Sequence, residues 1–81
     1  MKIRYVIRFK EQLRKLPSAI RKKFYKQAAH LVQNITYPSL HAKKYDETQD
    51  IWQARIDRRY RFYFKIKGDV YVLTELIKHT D

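Results

Sequence analysis

The stretch WQARIDRRYRFYFKIKGDVYVLTELIKHTD, from Trp52 to Asp81, decides the predicted fold because its residues alternate between two chemically different sets. Successive side chains of a β-strand point to opposite faces, so the alternation predicts a strand with one apolar face and one basic, phenolic face. The two sets are Tyr60, Phe62, Phe64 and Ile66 on one side, and Arg59, Arg61, Tyr63, Lys65 and Lys67 on the other. Such a strand can pack on a core with one face and bind a polyanion with the other.

Two turn signals divide this stretch into three antiparallel strands. Arg58 lies at the first tight turn, after a strand that the pattern predicts from Ile51 to Asp57. Gly68 and Asp69 give the second turn, a two-residue hairpin signal. The last segment, Val70 to Lys78, is rich in β-branched residues, which favour strands. We expect it to be central or nearly central in the sheet.

The N-terminal half predicts one strand and two helices. Residues Lys2 to Phe9 alternate in a strand pattern. From Lys10 onward the apolar residues follow steps of three and four, which is typical of amphipathic helices. Pro17 cannot continue a helix. We therefore expect a first helix that ends near Leu16 and a second that has Pro17 in its first turn and reaches Gln33 or Asn34.

The segment from Asn34 to Asp50 has no clear period and contains turn-forming residues, which predicts a loop. The element order is therefore β-α-α-β-β-β within a single domain that spans residues 1–81. A mainly antiparallel sheet with two helices packed on one face gives an α+β fold of two layers. We expect the helices to cover the face that carries Trp52, Phe62 and Phe64.

Charge is the strongest compositional feature. The 81 residues include 19 lysines and arginines against 8 acidic residues, a net charge of +11. This excess favours a nucleic acid, an acidic protein or anionic lipid as partner, with a solvated basic surface as the alternative. The chain has no cysteine and no apolar run of about 18 residues, so we expect a soluble, cytoplasmic protein.

Arg55 and Arg61 are the first candidates for anion binding. They fall on the polar faces of adjacent predicted strands, where cross-strand proximity is expected. Two neighbouring guanidinium groups repel each other unless an anion neutralises them, and phosphate fits their bidentate donor geometry. The alternative is that each arginine forms a structural ion pair, Arg55 with Asp57 or Arg61 with Glu75.

The three histidines differ in their claims to chemistry. His79 lies at the end of the last strand and could transfer a proton near neutral pH; the alternative is an exposed histidine with no task. His30 lies in the second helix and is expected to be structural, and His41 lies in the loop. Three scattered histidines without cysteine do not predict a metal site, and a single glycine excludes a phosphate-binding glycine loop. We expect no cofactor.

The element order and three motifs together resemble the RelE/ParE superfamily of bacterial and archaeal toxins. The motifs are the W-x-x-R-I strand from Trp52 to Ile56, the Y-R-F-Y-F strand from Tyr60 to Phe64, and a late strand that ends in His79. The resemblance covers nearly the whole chain and implies the toxin of a type II toxin–antitoxin system. Members similar to RelE are ribosome-dependent endoribonucleases that cut mRNA in the decoding site, whereas those like ParE poison DNA gyrase.

The resemblance also implies roles for individual residues. Arg61 matches the motif arginine that contacts the scissile phosphate in RelE-like relatives. His79 matches an acid–base or phosphate-binding residue at the end of the last strand. With Arg55 these two form the expected catalytic set. The expected RNA-binding residues are Lys43, Lys44, Arg59, Tyr63 and Lys65.

The chain departs from the family at two points. Relatives commonly carry a tyrosine at or after the last strand, where this chain has Thr80 and Asp81. The usual carboxylate or lysine base has Glu47 as its candidate here.

Three functions remain open at this stage. The first, favoured by the RelE-like resemblance, is a metal-independent mRNA endoribonuclease that acts on the ribosome and inhibits translation, which needs Arg61 and His79. The second is a ParE-like toxin that binds DNA gyrase without enzymatic activity. The third is a basic RNA-binding module without activity. For a toxin, the expected partner is a cognate antitoxin of acidic or amphipathic character.

Overall fold

The computed structural model describes residues 1–79, which form a two-layer α+β fold. The described elements, in chain order, are β1 (Lys2–Tyr5), α1 (Ile7–Arg14), α2 (Ser18–Gln33), a 3-10 helix (Pro38–Leu40), β2 (Lys43–Asp46), β3 (Ile51–Arg55), β4 (Tyr60–Lys67) and β5 (Val70–Lys78). The strands form one sheet in the order β1-β5-β4-β3-β2. Neighbouring strands are antiparallel except β1 and β5, which are parallel. The predicted fold class is confirmed, and β5 is nearly central as expected.

The helices cover the face of the sheet that the alternation of β4 makes apolar. Phe62 and Phe64 are fully buried, and the ring of Phe24 in α2 meets Phe62 edge to face with centroids 5.5 Å apart. Trp52 packs at the margin of this core, stacked on Phe64 at 6.3 Å. Burial of each large apolar side chain contributes about 1.5–3 kcal/mol. The predicted position of the helical layer is therefore confirmed.

The first strand is shorter than predicted, because α1 begins at Ile7 rather than near Lys10. The alternation up to Phe9 suggested one longer strand, but Phe9 and Leu13 are four residues apart and both buried. The strand pattern places Ile7 on the same apolar face as Phe9, but Ile7 is 74% exposed whereas Phe9 is buried. Contact of Phe9 with Phe24, at 5.4 Å between ring centroids, favours the helical period over the strand period.

The segment predicted as a loop, Asn34 to Asp50, contains the 3-10 helix and the edge strand β2. Leu40 ends the 3-10 helix and is fully buried. The sequence of β2, Lys-Lys-Tyr-Asp, has no apolar alternation, because this edge strand buries little of itself and has a register shift at Tyr45. Only its pairing with β3 identifies it as a strand.

The two turns of the meander lie where the sequence places them. Gly68 and Asp69 connect β4 to β5, and Gly68 has φ of +60°, a conformation that glycine adopts readily. The first turn is wider than predicted, since β3 ends at Arg55 rather than Asp57. The Asp57 carboxylate accepts the backbone N–H groups of Arg59 and Tyr60 at 2.9 Å, which closes residues 56–59 into a turn.

Candidate nucleic-acid interface

The sheet surface opposite the helices, here called the open face, is basic and aromatic. The residues of this face are identified from the strand pairing, because residues directly opposite each other on neighbouring strands share a face. The buried residues Ala54, Phe62 and Phe64 mark the face that the helices cover. On strands β2 to β5 it carries Lys43, Tyr45, Gln53, Arg55, Arg61, Tyr63, Lys65, Glu75 and Ile77. Tyr45 is 60% exposed and Ile77 38%, so this surface is accessible.

Arg55 and Arg61 are directly opposite each other in the β3–β4 pair. Residues in this position have Cα atoms about 4.5–5.5 Å apart, so the stems of the two arginines are neighbours on the open face. The predicted proximity of these arginines is therefore confirmed.

The structural ion pairs that the sequence offered for these arginines are not the ones formed among the described residues. Asp57 pairs with Lys23, with Nζ and Oδ2 3.5 Å apart. Glu75 pairs with Arg8 of α1 at 3.0 Å. Arg55 and Arg61 thus lie side by side without either of the proposed carboxylate partners.

The Arg61 guanidinium is held by the turn between β3 and β4. Its Nη1 donates hydrogen bonds to the carbonyl oxygens of Asp57 at 2.9 Å and Arg58 at 3.0 Å, with a longer contact of 3.4 Å to Tyr60. A guanidinium has five N–H donors, and the Nε and Nη2 donors make no hydrogen bond within residues 1–79. The turn therefore orients the side chain and leaves donors for an anion.

His79 lies at the same end of the sheet as this turn. Its backbone N–H donates to the carbonyl oxygen of Arg59, which fixes the end of β5 beside residues 56–59. The residues Arg55, Arg59, Arg61 and His79 therefore lie at the same end of the sheet, here called the basic corner. The three predicted catalytic residues are close along the backbone there: Arg61 is opposite both Arg55 and Ile77, and His79 follows Ile77 by two residues.

Tyr63 and Lys65 extend the open face away from the basic corner. The Tyr63 hydroxyl accepts a hydrogen bond from the Gln53 amide at 3.2 Å, and its ring meets Tyr45 edge to face at 4.9 Å. Burial raises the pKa of Tyr63, with the hydrogen bond from Gln53 opposing the rise, so its hydroxyl stays neutral at physiological pH. Lys65 on β4 and Lys43 on β2 add positive charge to the same face.

Two sequence candidates lie away from the open face. Lys44 is opposite Trp52 on the helix side of the sheet, with Nζ 5.2 Å from the centre of the Trp52 ring and paired with Asp50. Glu47 is exposed in the β2–β3 turn. That turn is at the opposite end of β3 from Arg55, about 13 Å away at strand rise. The family tyrosine position, Thr80 or Asp81, lies outside the described residues.

Gln27 supports the site and was not among the sequence candidates. It is a buried polar residue of α2, with 7% exposure. Its Nε2 donates to the carbonyl oxygens of Ser39 at 3.0 Å and Arg55 at 2.9 Å, and its Oε1 accepts from the Ser39 hydroxyl at 2.9 Å. This side chain fixes the end of β3 that carries Arg55. Gln27 lies three residues after Phe24 and four before Leu31, so it shares the buried face of α2. This spacing is the one sequence feature that points to a buried position for Gln27.

Neither a membrane-spanning helix nor a metal-binding cluster is present in residues 1–79. No helix there is long and apolar enough to cross a membrane. No group of three or more His, Cys, Asp or Glu side chains there is arranged to hold a metal ion.

Comparison by sequence finds no matching family model and no matching curated protein. Comparison by structure finds close matches among solved toxins. One is a YoeB/ParE toxin from Agrobacterium tumefaciens, with a TM-score of 0.81 and 12% identity over 99% of this chain and 100% of that one. Another is the archaeal RelE–RelB complex from Pyrococcus horikoshii OT3, with a TM-score of 0.80 and 18% identity over 95% and 92%.

The isolated RelE toxin of E. coli matches with a TM-score of 0.78 and 18% identity over 99% of this chain and 85% of that one. The low identities are in keeping with the absence of a match in the comparison by sequence. The high coverage shows that the structural likeness extends over the whole fold. The resemblance inferred from the sequence motifs is thereby confirmed at the level of structure: this chain has the fold of the RelE, YoeB and ParE toxins.

Proposed function

We propose that this protein is the toxin of a type II toxin–antitoxin system and that it inhibits translation by cleaving mRNA on the ribosome. The observation that carries the proposal is the pairing of Arg55 with Arg61 on an accessible sheet face, beside the end of β5 at His79. Support comes from the solved structures of the same fold, whose names describe RelE and YoeB toxins, several in complex with their antitoxins.

Arg55 and Arg61 supply the charge that RNA cleavage needs. Attack of the ribose 2′-oxygen on the adjacent phosphorus forms a crowded phosphorane and then expels the 5′-oxygen; the 2′-hydroxyl exists only in RNA. Negative charge grows on the non-bridging oxygens during this step. Donors that are already oriented stabilise that charge without reorganising, and the turn carbonyls hold the Arg61 guanidinium in such a state.

His79 is the proton-transfer group in this proposal. The reaction removes a proton from the 2′-hydroxyl and delivers one to the departing 5′-oxygen, and an imidazole can perform either step near neutral pH. The basic corner supplies charge stabilisation and proton transfer in this proposal, but not the alignment of the reacting atoms. Alignment of the 2′-oxygen with the phosphorus is an orientation effect that we assign to the ribosome, which holds the mRNA.

The test is a cell-free translation reaction to which purified protein is added, followed by mapping of the mRNA ends. We expect new 5′ ends within coding sequence for the natural protein and none for Arg61→Ala. Arg61→Lys should restore only part of the activity, since an ammonium group lacks the bidentate geometry of guanidinium. Lys67→Ala removes a charge from the far end of the same strand and is the matched control, with cleavage retained.

The gyrase alternative is tested in parallel by a DNA supercoiling assay. Circular dichroism establishes that each variant is folded. If folded Arg61→Ala still blocks translation or produces the same mRNA ends, the phosphate-site proposal is wrong. Inhibition of supercoiling without mRNA cleavage would replace it with a gyrase-binding toxin.

A further inference from the structure

We propose that a cleft beside the basic corner, here called the α2 cleft, binds a second nucleotide of a single-stranded RNA. In this proposal Lys26, Arg55 and Arg58 bind its phosphate, and Tyr37 stacks on its base. The inference rests on the proposed function in taking RNA as the ligand, and it adds a second nucleotide site next to the proposed cleavage site, with Arg55 bordering both.

The α2 cleft lies between α2 and the end of β3 and has a volume of about 420 Å³. This volume is within the range of roughly 300–1,000 Å³ that small-ligand sites occupy. Arg55 and His41 line it, and the same two residues line a second hollow of about 300 Å³ that reaches Lys43 and Gln53 on the open face. The two hollows are thus adjacent through Arg55, so a chain bound at the basic corner can continue into the cleft.

The charges around the cleft leave a net positive site. Asp57 is the one carboxylate among its lining residues, and Lys23 neutralises it at 3.5 Å. Burial alone would raise the pKa of Asp57, but the backbone N–H groups of the turn and Lys23 outweigh burial and lower it, so the carboxylate stays ionised and paired. Lys26, Arg55 and Arg58 form no ion pair within residues 1–79, and like charges brought together favour an anion.

An aromatic pair also lines the cleft. The rings of His30 and Tyr37 are stacked, with centroids 3.7 Å apart and planes 8° from parallel. Tyr37 remains 41% exposed. Exposed aromatic rings beside cations bind single-stranded nucleic acid, because every base has a face that stacks and every nucleotide has a phosphate.

The cleft is also preformed. Gln27 ties the carbonyl oxygens of Ser39 and Arg55 to α2, which fixes both walls. His41 closes the 3-10 helix in the left-handed region, with φ of 47°, a conformation that costs a non-glycine residue free energy. A rigid site loses little entropy when a ligand binds.

The phosphate contacts are tested by fluorescence anisotropy with a labelled 2′-O-methyl RNA hexamer, which lacks the nucleophile and cannot be cleaved. Lys26→Ala/Arg58→Ala should weaken binding by about tenfold and lower the slope of log affinity against log salt by roughly 0.7, the value for one phosphate of a single strand. Arg14→Ala/Lys15→Ala removes the same charge from the end of α1, outside the cleft, and should change both quantities much less. Equal losses for the two pairs would mean general attraction to a basic protein and would overturn the cleft.

The base contact is tested at Tyr37. Tyr37→Ala should weaken binding of the hexamer about tenfold, and Tyr37→Phe should keep it, because stacking uses the ring alone. Tyr25→Ala, which removes a 55% exposed tyrosine elsewhere on α2, is the control with unchanged affinity. The same comparison is repeated with hexamers in which one base at a time is removed. For one position of the missing base, the natural protein and Tyr37→Ala should bind with equal affinity, because the base that Tyr37 would stack on is absent. Unchanged affinity of Tyr37→Ala, with the protein folded, would overturn the stacking contact.

The cleft and the proposed function fail in different ways. If Arg61-dependent mRNA cleavage is found and the Lys26→Ala/Arg58→Ala pair binds RNA as the Arg14→Ala/Lys15→Ala pair does, the cleft is wrong and the function stands. If no cleavage is found but the cleft variants selectively lose RNA, the RNA-binding cleft stands and the nuclease is wrong.

Discussion

At the scale of single residues, Arg61 combines a structural contact with the chemistry that we propose for it. One guanidinium nitrogen holds the β3–β4 turn through carbonyl oxygens, and the remaining donors are directed by the same contact. Loss of these bonds in Arg61→Ala costs stability of about 1 kcal/mol, which a core of this size tolerates. A folded but inactive Arg61→Ala protein is therefore the expected outcome.

His79 should affect the rate of cleavage more than the binding of RNA. We expect His79→Gln to slow mRNA cleavage by roughly 10²–10⁴-fold, the usual contribution of a general acid or base, while anisotropy with the RNA hexamer changes little. Glu47→Gln is the informative comparison, because Glu47 is the base candidate from the sequence but lies at the far end of β3. Cleavage lost in Glu47→Gln and kept in His79→Gln would reverse this assignment.

Gln27 should be a structural residue despite its polarity. Gln27→Ala removes three partly buried hydrogen bonds, which tie Ser39 and the Arg55 carbonyl oxygen to α2. We expect a loss of roughly 1–3 kcal/mol in the free energy of unfolding, measured by urea titration. Gln33→Ala, at the exposed end of the same helix, should change it by less than about 0.5 kcal/mol.

At the scale of elements, the sequence predicts those parts in which local pattern and tertiary packing agree. The alternation of β4 agrees with its burial at the centre of the strand, where Phe62 and Phe64 are buried and Tyr63 between them is not, and the Gly68–Asp69 turn joins β4 to β5 as expected. The boundary between β1 and α1 was missed because the two periods overlap at Phe9. Strand β2 is not predicted from the sequence, because its own residues show no strand pattern and it forms by pairing with β3.

The candidate site divides in the same way. Parity along two strands was enough to place Arg55 beside Arg61. The support from Gln27, the turn contacts of Arg61 and the α2 cleft depend on segments distant in sequence. No period or motif reports such contacts, so they required the structure.

The contact between α2 and the sheet should dominate the stability of the helical layer. Phe24 is fully buried and touches Phe9 and Phe62. We expect Phe24→Ala to cost about 3–5 kcal/mol, a large part of the roughly 4–12 kcal/mol typical for 81 residues. The neighbouring Tyr25→Ala is the control. Urea unfolding monitored by circular dichroism measures both, and similar midpoints for the two variants would contradict the assignment of Phe24 to the core.

At the scale of the whole molecule, positive charge is distributed on both the open face and the α2 cleft. A net charge of +11 on 81 residues creates a field that extends beyond either site and attracts anionic partners before contact. This distribution suits an RNA ligand, and it also suits the acidic or amphipathic antitoxin that we expect for a toxin of this fold.

Association with that antitoxin should depend on salt. Between about 10 mM and 150 mM ionic strength the Debye length falls from roughly 30 Å to 8 Å, so the association rate constant should fall while the dissociation rate constant changes less. Stopped-flow mixing with the antitoxin measures both constants. An association rate constant that does not change over this range would show that shape and apolar contacts, rather than charge, direct the encounter.

The parallel pairing of β1 with β5 joins the first strand of the chain to the last described one. A ribosome synthesises the chain from its N-terminus, so residues 2–5 emerge early and have no sheet partner until residues 70–78 follow. Strands β4 and β5 also supply Phe62, Phe64 and Leu73 to the core. The complete five-stranded sheet therefore cannot form on the ribosome until β5 has been synthesised. A nascent copy of this protein is thus not fully folded during most of its own synthesis.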